Sequence, residues 1–295
     1  MIGRRLPLAV EMTLRRLLRN RAAVALLLLV PVTFQGVMLQ VAPRRSVEVE
    51  LASVPEAEML MPPVRLLPVP VPPGERRGAV VEAPARSIEL VNVSLAAVGV
   101  LAAFLGLTLV QRDAGSSQRL VLCGMRAPLL LASNVVALLL MVLVMSGISA
   151  ALLLREVNAV RPAVVVLGLV LVGWVYGCYG LLVGATFRTG LAGMLCVFLL
   201  SNLDVIWLQN PLNYSEATTR WLIRALPGHG PVQVGLLGAF EEFDWTHQAI
   251  RAAGFGALFL LATAAVFGWR TRVCRHPPRA DVGAARVRRS GGTPP

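Results

Sequence analysis

The side chains that could carry chemistry in this sequence are few and scattered. All 28 basic residues of the 295-residue chain are arginine, so lysine is absent. A phosphate-binding Walker A loop and a lysine nucleophile both need lysine, which excludes ATP hydrolysis by a P-loop within this chain. The histidines His229, His247 and His276 lack the spacing of metal ligands. We therefore predict no catalytic residue, no metal site and no cofactor bound by the chain itself.

One acidic residue, Asp204, lies within a long apolar segment. Ionisable groups inside a membrane are functional candidates, and together with Asn202, Gln209 and Asn210 it could line the outer exit of a translocation path. The alternative is structural. Counted from Arg188, Asp204 falls about 24 Å along a helix, near the outer surface, where its carboxylate would reach water or cap a neighbouring helix. The sequence leaves both interpretations open.

The elements that would position these side chains are long apolar segments. With 56% hydrophobic and 15% charged residues, the chain is too apolar for a soluble domain, in which charged residues make up about a quarter. About 20 consecutive apolar residues cross a bilayer as a helix. Six segments approach or exceed this length, at residues 22–41, 90–110, 127–154, 163–186, 191–208 and 252–269. The pattern predicts an all-α polytopic membrane protein with six transmembrane helices.

The arginines are unevenly distributed between the two sides of this predicted layout. If the N-terminus is inside, the inner segments carry 17 Arg and 3 acidic residues, and the outer segments carry 11 Arg and 12 acidic residues. The inner segments are residues 1–21, 111–126, 187–190 and 270–295, and the outer ones are residues 42–89, 155–162 and 209–251. Because cytoplasmic loops are rich in Arg, we predict that both termini are cytoplasmic. The net charge of +12 is then a topology signal, and no nucleic-acid partner is expected.

Three segments outside the spans have patterns of their own. Residues 6–20 have an apolar side and an Arg-rich side, which predicts a helix lying in the inner headgroup layer, although these Arg residues could serve topology alone. In the first outer loop, residues 46–51 alternate as in a strand, and the Pro-rich stretch that follows predicts a flexible cap rather than a ligand-capturing domain. Residues 217–226 and 231–240 are too short to span and predict outer re-entrant half-helices.

The fourth apolar segment carries a stripe of glycines. Gly173, Gly177, Gly180 and Gly184 lie at positions i, i+4, i+7 and i+11 and share one helix face. Small residues on one face let a second helix approach closely in lipid. We predict tight helix packing at this stripe, against a helix of the same chain or of a second copy.

The connection between the second and third apolar segments, residues 111–126, is longer than a turn requires. Asp113 is placed to cap the start of a helix and Gly124 to end one, which predicts a short separate helix at residues 117–122. Such a helix would suit docking on a cytoplasmic partner. The alternative is that Asp113 and Arg119 pair with each other on a solvated surface.

This connection resembles the first cytoplasmic loop of ABC-2-type transporter permeases. The residues that carry the resemblance are Arg112, Asp113, Gly115, Ser116, Arg119 and Leu120, followed by Gly124, Met125, Ala127 and Pro128. The N-terminal amphipathic helix, the six spans and the half-helices before the sixth span are also similar to that family's layout. The Pro-rich outer loop departs from it in length.

The resemblance implies that the chain is the membrane subunit of an exporter in the bacterial cell membrane. Two such permeases, copies or paralogues, pair with each other, and each binds a separate ATP-binding subunit that carries ATP and Mg²⁺. The residues implied to couple the subunits are Arg112, Asp113, Gly115, Ser116, Arg119, Leu120, Gly124, Met125 and Arg126. Apolar walls favour a hydrophobic drug, an antibiotic or a lipid-like compound as substrate.

Two other functions compete with export. The chain could be a polytopic partner of an ATPase that transports nothing and serves signalling or anchoring. It could also be a secondary transporter driven by an ion gradient, which would need paired ionisable groups at the middle of the membrane. The sequence offers Asp204 alone for that role and places it off-centre, so this function is the least favoured.

Overall fold

The computed structural model describes residues 7, 10–15, 19, 21–42, 46–51, 79–122, 127–187, 190–211, 220–241 and 244–273. Its helices are α1 (Arg21–Val41), α2 (Ala85–Leu122), α3 (Ala127–Glu156), α4 (Pro162–Thr186), α5 (Gly190–Ser201), α6 (Arg220–Ala225), α7 (His229–Phe240) and α8 (Thr246–Val273). A π-helical segment, Asn202–Leu208, continues α5. Two strands, β1 (Ser46–Leu51) and β2 (Ala79–Pro84), precede α2.

Five helical stretches are long and apolar enough to cross a membrane. They are Ala85–Gln111, Pro128–Glu156, Pro162–Thr186, Gly190–Leu208 and Thr246–Trp269, and they coincide with the second to sixth predicted spans. The first predicted span coincides with α1, in which Leu29–Val41 is a shorter apolar helix. The protein is thus a helical polytopic membrane protein, as the composition predicts.

The strand predicted at residues 46–51 is confirmed as β1. Its partner β2 was not predicted. The two strands are antiparallel, with Ser46 opposite Pro84 and Leu51 opposite Ala79, and β2 runs directly into α2.

The Pro-rich residues 52–78 between the strands lie outside the described residues, as does the C-terminal tail from residue 274. Of the predicted interfacial helix at residues 6–20, the structure describes residues 10–15 as helical, with Arg15 and Glu11 paired at 2.6 Å.

Helix α4 lies at the centre of the bundle and packs against α2, α3, α7 and α8. Its contact with α2 is a backbone contact made possible by glycine. A Cβ on Gly180 would overlap the main chain of Ala103, and a Cβ on Gly184 would lie 2.9 Å from the carbonyl oxygen of Leu107. Reciprocally, Gly106 of α2 faces the main chain of α4. The two helices therefore approach as closely as two backbones allow.

The other half of the glycine stripe faces α3. A Cβ on Gly173 would lie 2.5 Å from Cγ1 of Val142, and one on Gly177 would lie 2.9 Å from a methyl carbon of Leu138. The helices that the stripe accommodates thus belong to the same chain, which answers the question that the sequence left open. A second copy of the chain is not needed to explain these glycines.

Helix α1 is joined to the bundle by a buried polar side chain. Gln35, which is 4% exposed, donates from Nε2 to Oγ of Ser94 at 2.8 Å and to the carbonyl oxygen of Ser149 at 3.2 Å. These two bonds connect α1 with both α2 and α3. Side-chain hydrogen bonds between helices in lipid contribute about 0.6 kcal/mol on average and up to about 2 kcal/mol.

We expect Gln35→Leu to lower the thermal stability of the protein in detergent, because α1 loses both bonds while Ser94 and Ser149 keep buried polar atoms. A loss of about 1–2 kcal/mol is expected, measured as a decrease in Tm. The matched control is Gln40→Leu, five residues along the same helix and exposed. Equal Tm values for the two variants would contradict the role of Gln35.

Candidate functional site

Residues 112–122 are part of helix α2, which runs without interruption from Ala85 to Leu122. The predicted separate helix capped by Asp113 is therefore wrong, because Asp113 lies inside a continuous helix. The physical reason is that extending a formed helix avoids the cost of a new nucleus, and the segment has no proline to stop it. Beyond Gln111, where the apolar stretch ends, the helix continues for about three turns, or about 16 Å.

The predicted coupling residues lie on and after this extension. Arg112, Ser116 and Arg119 are spaced at i, i+4 and i+7 and share one side of the helix. Residues six apart, as Asp113 and Arg119 are, lie about 120° apart around an α-helix, so the helical backbone disfavours a pair between them. Gly124, Met125 and Arg126 lie outside the described residues, and α3 begins directly after them.

Asp204 is fully enclosed in the bundle, with 1% of its surface exposed. Its Oδ2 accepts hydrogen bonds from the hydroxyl of Tyr176 on α4 and from the backbone N–H of Gly228 at 2.9 Å. Its Oδ1 accepts from Nε2 of Gln209 at 3.0 Å. The carboxylate is therefore surrounded by donors from three parts of the chain, and the prediction that it reaches water at the surface is wrong. The other structural prediction was that Asp204 caps a neighbouring helix. The bond from the N–H of Gly228 agrees with it, because α7 begins at the next residue.

Gln209 joins this carboxylate to the outer short helices. Its Nε2 also donates to the carbonyl oxygen of Ile223 at 3.1 Å, and its Oε1 lies 3.0 Å from Nδ1 of His229. The Nε2 of Gln209 lies beside two acceptors, so it is the amide nitrogen. The Oε1 of Gln209 must then accept a hydrogen bond from Nδ1 of His229, which means that the imidazole carries its proton on Nδ1. Burial, together with the charges of Arg251 and Arg224, lowers the pKa of His229 to about 3, so this ring is neutral. It lies outside the five spanning stretches.

The π-helical backbone is what brings Asp204 and Gln209 together. The N–H of Gln209 donates to the carbonyl oxygen of Asp204 at 2.9 Å, the i to i+5 bond that defines a π-helix. In an α-helix two residues five apart lie about 140° apart around the axis, and their side chains cannot meet. In the π geometry they lie one above the other, so their side chains hydrogen-bond.

The two predicted half-helices correspond to α6 and α7, connected through Pro227 and Gly228. Residues 217–219 of the first lie outside the described residues. Helix α7 is buried over almost its whole length and runs antiparallel to α4. A Cβ on Gly238 would lie 2.9 Å from Cβ of Val164, near the start of α4, whereas one on Gly228 would lie 2.7 Å from the hydroxyl of Tyr176. The turn between α6 and α7 is thus the deepest part of this hairpin.

The contact with Tyr176 also corrects the predicted depth of Asp204. Helix α4 has 25 residues and a length of about 37 Å, and Tyr176 lies about 21 Å from its start at Pro162. The carboxylate is therefore level with the middle of the spanning helix α4, not with its outer end. Counting along one helix from Arg188 gave a wrong depth because it ignored how α5 and the π segment pack against α4.

Asn202, the other candidate for a translocation path, is not brought into this site. Its Nδ2 donates to the carbonyl oxygen of Phe198 in its own helix at 2.7 Å. Sequence reasoning missed Tyr176 and Gly228 as partners of Asp204, and His229 as a partner of Gln209. Within the described ranges, no group of three or more His, Cys, Asp or Glu side chains could hold a metal ion. The site is a hydrogen-bonded connection between a span and the hairpin of α6 and α7.

Comparison with known proteins adds no assignment. No protein-family model matches the chain, and a search of curated proteins found no match.

Proposed function

We propose that the chain is the membrane subunit of an ATP-driven exporter of the ABC-2 type. In this proposal it lies in a bacterial cell membrane and pairs with a second permease, a copy or a paralogue. A separate subunit hydrolyses ATP with Mg²⁺, and a hydrophobic drug, antibiotic or lipid-like compound is exported. The observation that carries the proposal is the extension of α2 beyond its apolar stretch to Leu122, which bears the residues similar to the coupling loop of that family.

The extension is suited to docking because it is a rigid element outside the apolar stretch. A flexible turn between two spans needs only a few residues, whereas this helix continues for about three turns. Arg112 and Arg119 on one side offer guanidinium groups for an acidic groove. The chain contains no lysine, so it has no Walker A loop for ATP hydrolysis. This agrees with a proposal in which a second subunit hydrolyses the ATP.

The outer hairpin is the second support for this proposal. Short helices joined by a turn at membrane depth are tolerated only where protein surrounds them, and α7 is buried between α4, α2 and α8. Such a hairpin before the last span agrees with the outer re-entrant helices of the family. It would close the outer side of the bundle.

The proposed topology has six spans and both termini in the cytoplasm. In addition to the five spanning stretches, we assign α1 as the first span. Its 21 residues measure about 32 Å, enough to cross the hydrocarbon core. The excess of Arg in the proposed inner segments supports this orientation.

Charge reversal on the extension tests the proposal. We expect Arg119→Glu to weaken co-purification with the proposed ATP-binding subunit, identified as the ATP-binding protein that co-purifies with the native chain, by about tenfold or more, because a charge that is reversed in an interface opposes its former partner. ATP hydrolysis in nanodiscs is expected to return to the rate of the free ATP-binding subunit. The control is Arg155→Glu at the far end of α3, an exposed arginine. Retained co-purification and unchanged ATPase stimulation in Arg119→Glu would refute the docking role.

The depth of Asp204 favours a second candidate, the secondary transporter driven by an ion gradient. A carboxylate level with the middle of α4 and joined through Gln209 to His229 is the kind of group that such a transporter uses. Vesicles containing this chain alone separate the two functions. Uptake or release of a lipophilic dye driven by a pH gradient without ATP would favour the secondary transporter, and flux that needs ATP and the second subunit would favour the exporter. Absence of flux in both cases would favour a partner that transports nothing.

A further inference from the structure

We infer that Asp204 and Gln209 form a latch that keeps the outer hairpin closed, and that the latch opens when the π segment changes its register. The hairpin is defined here as α6, α7 and the turn between them. That this hairpin is an outer gate rests on the proposed function, but the latch itself is a property of this chain and is tested without transport.

The latch collects the contacts at the deep end of the hairpin. Asp204 binds the turn through the N–H of Gly228, and Gln209 binds α6 through the carbonyl oxygen of Ile223 and α7 through His229. Tyr176 of α4 holds the same carboxylate. Two side chains of one span thus connect α4 with both helices of the hairpin and with its turn.

The opposite end of the hairpin is attached by different bonds. The backbone N–H groups of Val160 and Arg161 donate to the carbonyl oxygens of Ala239 and Gly238 at 3.1 and 2.8 Å. These bonds lie at the outer end of α7, outside the latch. One end of the hairpin is therefore held by these backbone bonds, and its deep end is held by Asp204 and Gln209 together with the bond from Arg251 to the carbonyl oxygen of Arg224.

Between these ends, α7 packs against its neighbours through buried apolar side chains such as Val232 and Leu236 and, at other positions, through glycine. Gly235 faces Leu95 of α2, and Gly238 faces the backbone at Val164. Glycine gives close apolar contact without interlocking side chains, so the polar bonds of the latch contribute the directional part of the attachment. Breaking them removes the contacts that the latch makes at the deep end.

The register of the π segment decides whether the latch can form. Asp204 and Gln209 meet only while the i to i+5 bond between them keeps this segment π-helical. If the segment became α-helical, Gln209 would rotate away by about a third of a turn and would leave both Asp204 and the hairpin. One local change in the span therefore removes the bonds of Gln209 to both α6 and α7, while the bond from Arg251 of α8 to the carbonyl oxygen of Arg224 remains.

Hydrogen exchange of the purified full-length protein in nanodiscs tests the latch. We expect Gln209→Met and Asp204→Asn to raise deuterium uptake at the amides of α7 near His229 by about tenfold or more relative to the native protein, because the local opening free energy falls with each lost bond. The control is Leu203→Ala, a change in the same π segment at a side chain that is 50% exposed. The amides at the outer end of α7 should be affected least. If Gln209→Met shows the same exchange as Leu203→Ala, the latch is overturned. Should Asp204→Asn fail to fold, Gln209→Met still tests the latch, because in this variant Asp204 keeps its bonds from Tyr176 and Gly228.

A disulfide tests whether the deep end moves. A Cβ on Gly230 would lie 3.3 Å from Cβ of Ala252 on α8 and 2.8 Å from the carbonyl oxygen of Gln248, so a shift of α7 away from α8 by a few tenths of an ångström would bring two cysteines to the separation of about 3.5–4.5 Å found in disulfides. In the double variant Gly230→Cys and Ala252→Cys, oxidation should return the exchange of a Gln209→Met background to the slow native rate, and reduction should reverse this. Fast exchange that persists in the oxidised protein would overturn the proposed motion.

The same double variant separates the latch from the proposed function. With the ATP-binding subunit present, oxidation should stop ATP-dependent flux of a lipophilic dye, and dithiothreitol should restore it. If exchange behaves as expected but flux is absent even from the reduced protein and from the native protein, the latch stands and the exporter proposal fails. If flux continues in the fully oxidised protein, the hairpin is not the gate.

Discussion

Replacement of Gly180 by alanine is expected to prevent the helical bundle from assembling. The added Cβ would overlap the backbone of Ala103, with its carbonyl carbon 2.8 Å and its Cα 2.9 Å away. A backbone cannot rotate out of the way as a side chain can, so α2 and α4 would have to separate along their contact. Overpacking of a core typically costs about 1–3 kcal/mol, and we expect a loss at or above the upper end.

The measurement is the fraction of monodisperse protein in size-exclusion chromatography after solubilisation, together with Tm. The matched controls are Gly147→Ala and Gly254→Ala, helical glycines at which no atom lies within 4 Å of an added Cβ. Alanine at these positions should be neutral or stabilising by up to about 1 kcal/mol, since glycine is a poor helix former. Behaviour of Gly180→Ala like that of the controls would show that the close approach of α2 and α4 does not exist.

Replacement of Asp204 by leucine is expected to have the second largest effect. It leaves three buried donors without their acceptor, namely the hydroxyl of Tyr176, the N–H of Gly228 and one N–H of Gln209. Each unsatisfied buried group costs about 1–3 kcal/mol, so we expect a loss of about 3 kcal/mol or more, measured by thermal unfolding. Asn202→Leu, at a partly exposed residue of the same segment, should cost far less.

A double variant shows whether the loss comes from the buried donors. Tyr176→Phe removes one of the orphaned groups, so Asp204→Leu combined with Tyr176→Phe should be more stable than the sum of the two single losses predicts. Strict additivity would mean that the hydroxyl and the carboxylate do not interact. Equal stability of Asp204→Leu and Asn202→Leu would remove the network as a source of stability.

The long elements were predictable because their signals are local. An apolar run of about 20 residues has few ways to satisfy its backbone in lipid other than a helix, and alternation at residues 46–51 identifies β1. β2 was missed because its partner is more than 25 residues away in the sequence. The continuation of α2 past Gln111 was missed because Asp113 was interpreted as the cap of a new helix, although one such residue does not end an established helix.

The site was harder to predict because it is built from distant parts of the chain. Tyr176 lies in an uninterrupted apolar stretch and has no local sign of a polar partner, while Asp204 was visible as the lone acid of its span. Their contact depends on the packing of α4 against the π segment. The π geometry itself had no sequence signal that we recognised, so the pairing of Asp204 with Gln209 could not be derived.

Helix α2 joins the β-hairpin to the residues beyond its own apolar stretch in one continuous helix. Its 38 residues contain no proline and measure about 57 Å, and β2 leads into it at Ala85 without a linker. A continuous helix of this length moves as one rigid body, so a tilt at one end displaces the other end. A sideways displacement of the end near Leu122 would therefore move the two strands in the opposite direction, with the contact at Gly180 as the fulcrum.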